Sequence, residues 1–98
     1  MITRFITEVN TKFNPFSARS RATRLFLSSL PPRARSEGMQ INTTLLPRAS
    51  TEPNSLIVKF KDGKEMSLDP EMLGIKGIIE EVERHSRVLQ KQADLTES

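Results

Sequence analysis

The sequence predicts an α/β fold, a four-stranded mixed sheet with two main helices in the order β-α-β-β-β-α. Three observations carry this reading. Phe5, Thr7, Val9, Thr11 and Phe13 alternate with Ile6, Glu8, Asn10 and Lys12, which is the period of a strand. Two stretches place apolar residues at helical spacing, one between residues 15 and 30 and one between residues 75 and 92. Between them, Asp62-Gly63 separates two strand-like segments and signals a hairpin, because a type I′ turn takes positive φ at both central positions.

Residues 13–32, FNPFSARSRATRLFLSSLPP, hold the end of the first strand, the first helix and its stop. Asn14 before Pro15 is one candidate N-cap and Ser17 is another. Ala18, Ala22, Leu25, Phe26 and Leu30 share one helical face, and Phe13, Phe16 and Phe26 are read as core. Arg19, Arg21 and Arg24 fall mostly off that face. Pro31 and Pro32 end the helix, since proline lacks an N–H and disfavours helical geometry in the residue before it.

Residues 33–38 make a polar connection to a second strand, residues 39–46, in which Met39, Ile41, Thr43 and Leu45 alternate with Gln40, Asn42, Thr44 and Leu46. Residues 47–54 read as a loop. The clearest strand is residues 55–61, with Leu56, Val58 and Phe60 on one side, and residues 64–68 return from the hairpin. Asp69-Pro70 makes a turn, and Met72 and Leu73 pack as a short cap before the last helix. In that helix Ile75, Ile78, Ile79, Val82, Ser86 and Leu89 form the apolar stripe. Early glutamates and late arginines complement the helix dipole, with Glu80 and Arg84, and Glu83 and Arg87, spaced as i,i+4 pairs. Gly77 costs the helix roughly 1 kcal/mol against alanine and suggests close packing. The first strand–helix–strand unit should cross over right-handed, and the last helix should cover a sheet face. The order of elements is thioredoxin-like, with a loop in place of the middle helix. Residues 1–92 then form a single domain and residues 93–98 a flexible tail.

At 98 residues the core is modest. With no Cys, disulfide and thiol chemistry are excluded. His85, the one histidine, has only Glu81 nearby by spacing, which is a poor metal site. Ser17, Ser20, Ser28 and Ser29 have no histidine placed to activate them, and the four glycines form no phosphate loop. Asp62, Glu65, Asp69 and Glu71 cluster at a turn and a helix entry and read as structural. The chain is therefore read as a non-enzyme with no cofactor, no metal and no small-molecule substrate. No apolar run approaches the roughly 20 residues that span a bilayer, so no membrane insertion is expected.

Charge is placed unevenly. Residues 1–48 hold eight basic residues against two acidic ones, a balance of +6, and residues 49–98 hold seven against ten, a balance of −3. Seven of the eight are arginine, whose planar fork suits phosphate. Arg19, Arg21, Arg24, Arg33 and Arg35 lie within 17 residues with no acid among them, and they are the predicted RNA contact. The bland alternative is a solvated basic surface. Arg84, His85 and Arg87 are a predicted second RNA or protein contact, against the alternative of a solvated helix end that complements the dipole. The N-terminus has the composition of a mitochondrial transit peptide, yet it overlaps the first strand. A targeting signal there is expected to be uncleaved.

FNPF followed by a basic helix and a Pro-Pro stop, together with RHSRVLQ on an amphipathic helix, resembles the mitochondrial large-subunit ribosomal protein family numbered fifty-three, forty-four in the yeast naming, in its fungal type. The resemblance covers residues 4–92. It implies a thioredoxin-like fold without enzyme activity and a place on the large subunit in the mitochondrial matrix. Its implied partners are mitochondrial large-subunit rRNA and neighbouring mitochondrial ribosomal proteins. The competing reading is a thioredoxin-like accessory subunit of a mitochondrial respiratory complex, a protein-interaction module.

Overall fold

The computed structural model describes residues 4–49 and 52–96. Four strands form one mixed sheet in the order β2-β1-β3-β4. β1 (Ile6–Phe13) is parallel to β2 (Gln40–Leu45) and antiparallel to β3 (Ser55–Phe60), which pairs antiparallel with β4 (Glu65–Leu68). The hairpin and the mixed sheet stand as the sequence predicts.

Register explains which face is apolar. Val9 pairs with Ile41 and Val58, and Thr11 with Thr43 and Leu56, while Met66 and Leu68 extend the same face. Phe26 and Leu30 pack onto that face together with Ile78, Val82 and Leu89. Both helices thus share one side of the sheet and touch each other. The opposite face is polar. Asn42 Nδ2 donates to Glu8 Oε1 at 3.1 Å and to Asn10 Oδ1 at 2.8 Å. There the Lys59 Nζ lies 3.1 Å from Glu8, whose hydrogen bond and charge hold the ammonium above its ordinary pKa.

The strict alternation expected of β1 breaks at Thr7. Ile6 pairs with Phe60 and Glu8 with Lys59, leaving Thr7 as an extra bulged residue whose hydroxyl donates to the Lys59 carbonyl at 3.2 Å. The bulge turns Ile6, rather than Thr7, into the core, where it is 3% exposed.

The first helix starts later than predicted. Asn14 Oδ1 accepts the Phe16 N–H at 2.9 Å and closes a local turn, so it caps no helix. Ser17 Oγ accepts the Arg19 N–H and opens a 3-10 turn, Ala18–Ser20, which leads into α1 (Arg21–Ser29). Leu30 is extended before Pro31, with ψ 147°, and ends the helix. Of the predicted stripe Phe26 and Leu30 are buried and Ala22 packs against the core, and Thr23 joins them. Ala18 and Leu25 face solvent, and so does Phe16, 65% exposed, which corrects its reading as core. Ala34 is buried in the connection and leaves Arg33 and Arg35 pointing outward on either side.

The hairpin loop has three residues instead of two. Phe60 N–H donates to the Lys64 carbonyl at 2.9 Å, and Gly63 N–H to the Phe60 carbonyl at 3.0 Å. Among the described residues only glycines have positive φ, so Asp62 cannot occupy a type I′ turn, and Gly63 at φ 93° takes the left-handed position alone.

α2 runs Pro70–Thr96 and is broken at Gly74, whose φ of 67° and ψ of 177° suit glycine alone. Asp69 Oδ1 accepts the N–H groups of Glu71 and Met72. The predicted Asp-Pro turn is therefore an N-cap followed by proline in the first helical position. Met72 and Leu73 do not form the predicted packed cap; both are exposed, Met72 at 83%. Beyond the break, Ile78, Val82, Ser86 and Leu89 are buried as the stripe predicts. A Cβ at Gly77 would lie 2.9 Å from Leu73 Cβ, which is the close packing its position suggests.

Candidate nucleic-acid interface

The predicted basic residues divide into two groups with different surroundings. Arg21 and Arg24 are three apart on α1, so they share its outward face with Leu25 and Ser28, opposite Phe26 and Leu30. Arg19 leads into them from the 3-10 turn with its side chain 78% exposed and only a loose 4.0 Å approach to Glu71. Arg19 and Arg21 border a groove of about 330 Å³ between α1 and the first turn of α2, floored by Ala22, Leu25 and Ile75. Among the described residues no carboxylate pairs with Arg21, Arg24 or Arg33. Arg35 is exposed as well, and its Nη2 donates to the Ile41 carbonyl at 3.2 Å. That carbonyl belongs to the outer edge strand, so Arg35 also occupies part of a free sheet edge.

The group on α2 is engaged within the chain. Arg84 bonds Glu81 at 3.0 Å and Arg87 bonds Glu83 at 3.2 Å. Arg84 thus takes Glu81 rather than the predicted Glu80. His85 does not approach Glu81. Its Nε2 lies 3.0 Å from Asp62 Oδ2, and its ring meets Phe60 edge-on at 4.6 Å between centroids. These contacts tie α2 to the hairpin loop. The Asp62 carboxyl is held below the usual carboxylate range, first by the Lys64 N–H and then by His85, with burial opposing both. Among the described residues no cluster of His, Asp and Glu could hold a metal ion, and no helix is long and apolar enough to cross a membrane.

A buried amide pair organises the end of the parallel strands. Asn14 and Asn54 are 7% and 6% exposed. Asn54 Oδ1 accepts the Asn14 N–H at 3.3 Å, and Asn54 Nδ2 donates to the Arg19 carbonyl at 3.2 Å. Asn14 Nδ2 donates to the Arg48 carbonyl at 3.2 Å, while its Oδ1 holds the Phe16 N–H. The Arg48 guanidinium lies 5.1 Å from the centroid of the Phe16 ring. Sequence reasoning assigned Phe16 to the core and left Arg48 outside the patch. The signal for both was weak, because their meeting depends on a loop contact spanning more than 30 residues.

The sequence profile of the family described as 39S ribosomal protein L53/MRP-L53 matches residues 13–63. The chain is 70% identical over 97 residues to the large ribosomal subunit protein mL53 of Neurospora crassa, covering 99% of both chains. It is 33% identical over 89 residues, 91% of both chains, to the protein of that name from Saccharomyces cerevisiae. The chain belongs to the L53/MRP-L53 ribosomal protein family. A relative in Schizosaccharomyces pombe is 28% identical over 79 residues, 79% of both chains. The number fifty-three in these names agrees with the resemblance seen in FNPF and RHSRVLQ, and none of the three carries forty-four. The stretch matched by the L53/MRP-L53 profile runs from the end of β1 to the hairpin loop. It contains all five arginines of the first group and both buried asparagines, and it stops before α2.

Proposed function

We propose that the protein is a non-catalytic structural constituent of the large subunit of the mitochondrial ribosome, and that it holds rRNA phosphates with Arg19, Arg21, Arg24, Arg33 and Arg35. The observation that carries this reading is the exposed arginine run on and after α1, most of it unpaired with any described carboxylate, in a chain of this ribosomal family. Arg21, Arg24 and Arg33 can each contact a phosphate without losing a carboxylate partner, while Arg19 would give up only a loose approach to Glu71 and Arg35 a bond to the Ile41 carbonyl. The Arg84 and Arg87 side chains already bond glutamates, so α2 is the weaker partner for an anion and suits a neighbouring ribosomal protein better. β1 is a central strand of the sheet, which supports a mitochondrial targeting signal that overlaps the fold and stays uncleaved on its way to the matrix.

The test is a triple change of Arg19, Arg21 and Arg24 to Ala in the full chain, with circular dichroism checking the fold. Incorporation into large subunits, followed by gradient sedimentation, should fall. Binding to a large-subunit rRNA transcript should lose about 2 units of its logarithmic salt slope, at about 0.7–0.9 per phosphate contact. Normal incorporation of the folded triple variant, or co-migration of the wild-type chain with a respiratory complex, would sink the reading.

A further inference from the structure

We propose that Phe16 and Arg48 form a stacking platform for one unpaired rRNA nucleobase, beside the phosphate contacts of α1. This rests on the RNA-binding reading above and adds to it a site for a base. Phe16 is 65% exposed on a turn, where a phenyl ring gains nothing from the core. Arg48 lies over one ring face at 5.1 Å, a distance suited to cation–π attraction. A base can stack on the opposite ring face, or exchange with the guanidinium, which then takes the adjoining phosphate. Any base fits, since each has a π-face, so the platform needs no sequence readout.

The arrangement is built rather than incidental. Asn14 holds the Phe16 backbone through its Oδ1 and the Arg48 backbone through its Nδ2, and it is nearly buried. Asn54 binds Asn14 and the Arg19 carbonyl, so the same pair fixes the start of the arginine run relative to the ring. One aromatic residue and two arginines are thereby set at the carboxyl ends of β1 and β2, the end of a parallel pair where α/β folds place ligands. Preorganised backbone lowers the ordering cost of binding, which suits a site made of flexible side chains.

Phe16→Leu removes the π-face at an exposed position and leaves the fold intact. Two probes separate base from backbone: a short oligoadenylate and its abasic counterpart, which keeps every phosphate. The wild-type chain should prefer the oligoadenylate. Phe16→Leu should lose roughly tenfold in affinity for it at fixed salt, with an unchanged salt slope and no loss on the abasic probe. A Phe16→Trp variant should keep the affinity, and its fluorescence should be quenched by the oligoadenylate and not by the abasic strand. Equal loss on both probes, no loss on either, or a wild-type chain that does not distinguish them would overturn the platform. So would a Phe16→Leu particle that keeps its rRNA contacts and sheds a neighbouring protein, which would assign the ring to protein contact. The α1 arginines are tested by salt slope and this platform by base dependence, so either can fail alone.

Discussion

Thr23 sits fully buried on α1, and its Oγ1 finds no hydrogen-bond partner among the described residues. A buried hydroxyl without a partner costs on the order of 1–3 kcal/mol. Thr23→Val keeps the shape and removes that cost at about equal helix propensity, so it should hold or raise stability, by up to about 1 kcal/mol. Thr23→Ala removes the same hydroxyl but also takes a methyl group out of the core, so it should be less stable than Thr23→Val. Urea denaturation of the two variants checks the pair, and a Val variant clearly less stable than wild type would mean the hydroxyl is satisfied. Single residues were the least legible part of this chain. Composition places phenylalanine inside, and Phe13 and Phe26 obey it, yet Phe16 follows a proline into a turn that points it outward. His85 has only Glu81 nearby by spacing, whereas its partner Asp62 lies 23 residues back and meets it only through the hairpin.

At the scale of elements, the hairpin loop depends on pH through Asp62, whose carboxylate accepts the Lys64 N–H within the loop and meets His85 of α2. The Asp62 carboxyl titrates lower in the folded chain than in the unfolded one, where an aspartate titrates at about 3.9. Its contribution is therefore complete above that pH and is lost as pH falls through the lowered folded value. Asp62→Ala should lower the thermal midpoint at neutral pH. The gap from wild type should close only in strong acid, below about pH 3.9, and a gap that stays constant down to pH 2 would detach the effect from this carboxylate. Strand pairing was legible because alternation and an Asp-Gly turn are local signals. The bulge at Thr7 was not, since the segment from Phe5 to Phe13 alternates without interruption and only pairing with Phe60 and Lys59 exposes the extra residue. The helix start was blurred for the opposite reason. Asn14 and Ser17 are both good caps, and the amide pair with Asn54 decides which one the helix uses.

On the scale of the whole molecule, two helices cover one face of the sheet and the other face stays polar, so a single layer contact supplies the core. The charge division between the halves of the chain was legible at once. That Arg19, Arg48 and the buried amide pair meet at one end of the sheet was not, because the loop after β2 must fold back onto the turn after β1. A small core of this kind gives thin stability, and a ligand that binds only the folded state adds to it by mass action. With an rRNA transcript at 100 times its Kd, the gain should be about 2.7 kcal/mol. For a chain of this size that corresponds to a rise of roughly 10–20 °C in thermal midpoint. If the contact is made through phosphates, as proposed, raising salt should erase most of the rise while leaving the midpoint of the free chain nearly unmoved. The Arg19, Arg21 and Arg24 triple variant should melt like wild type when free and gain far less from the transcript. Differential scanning fluorimetry with and without RNA, at low and high salt, measures all four states. A midpoint that ignores the transcript at low salt would mean that this surface does not bind RNA, and that the arginines serve only as a solvated face.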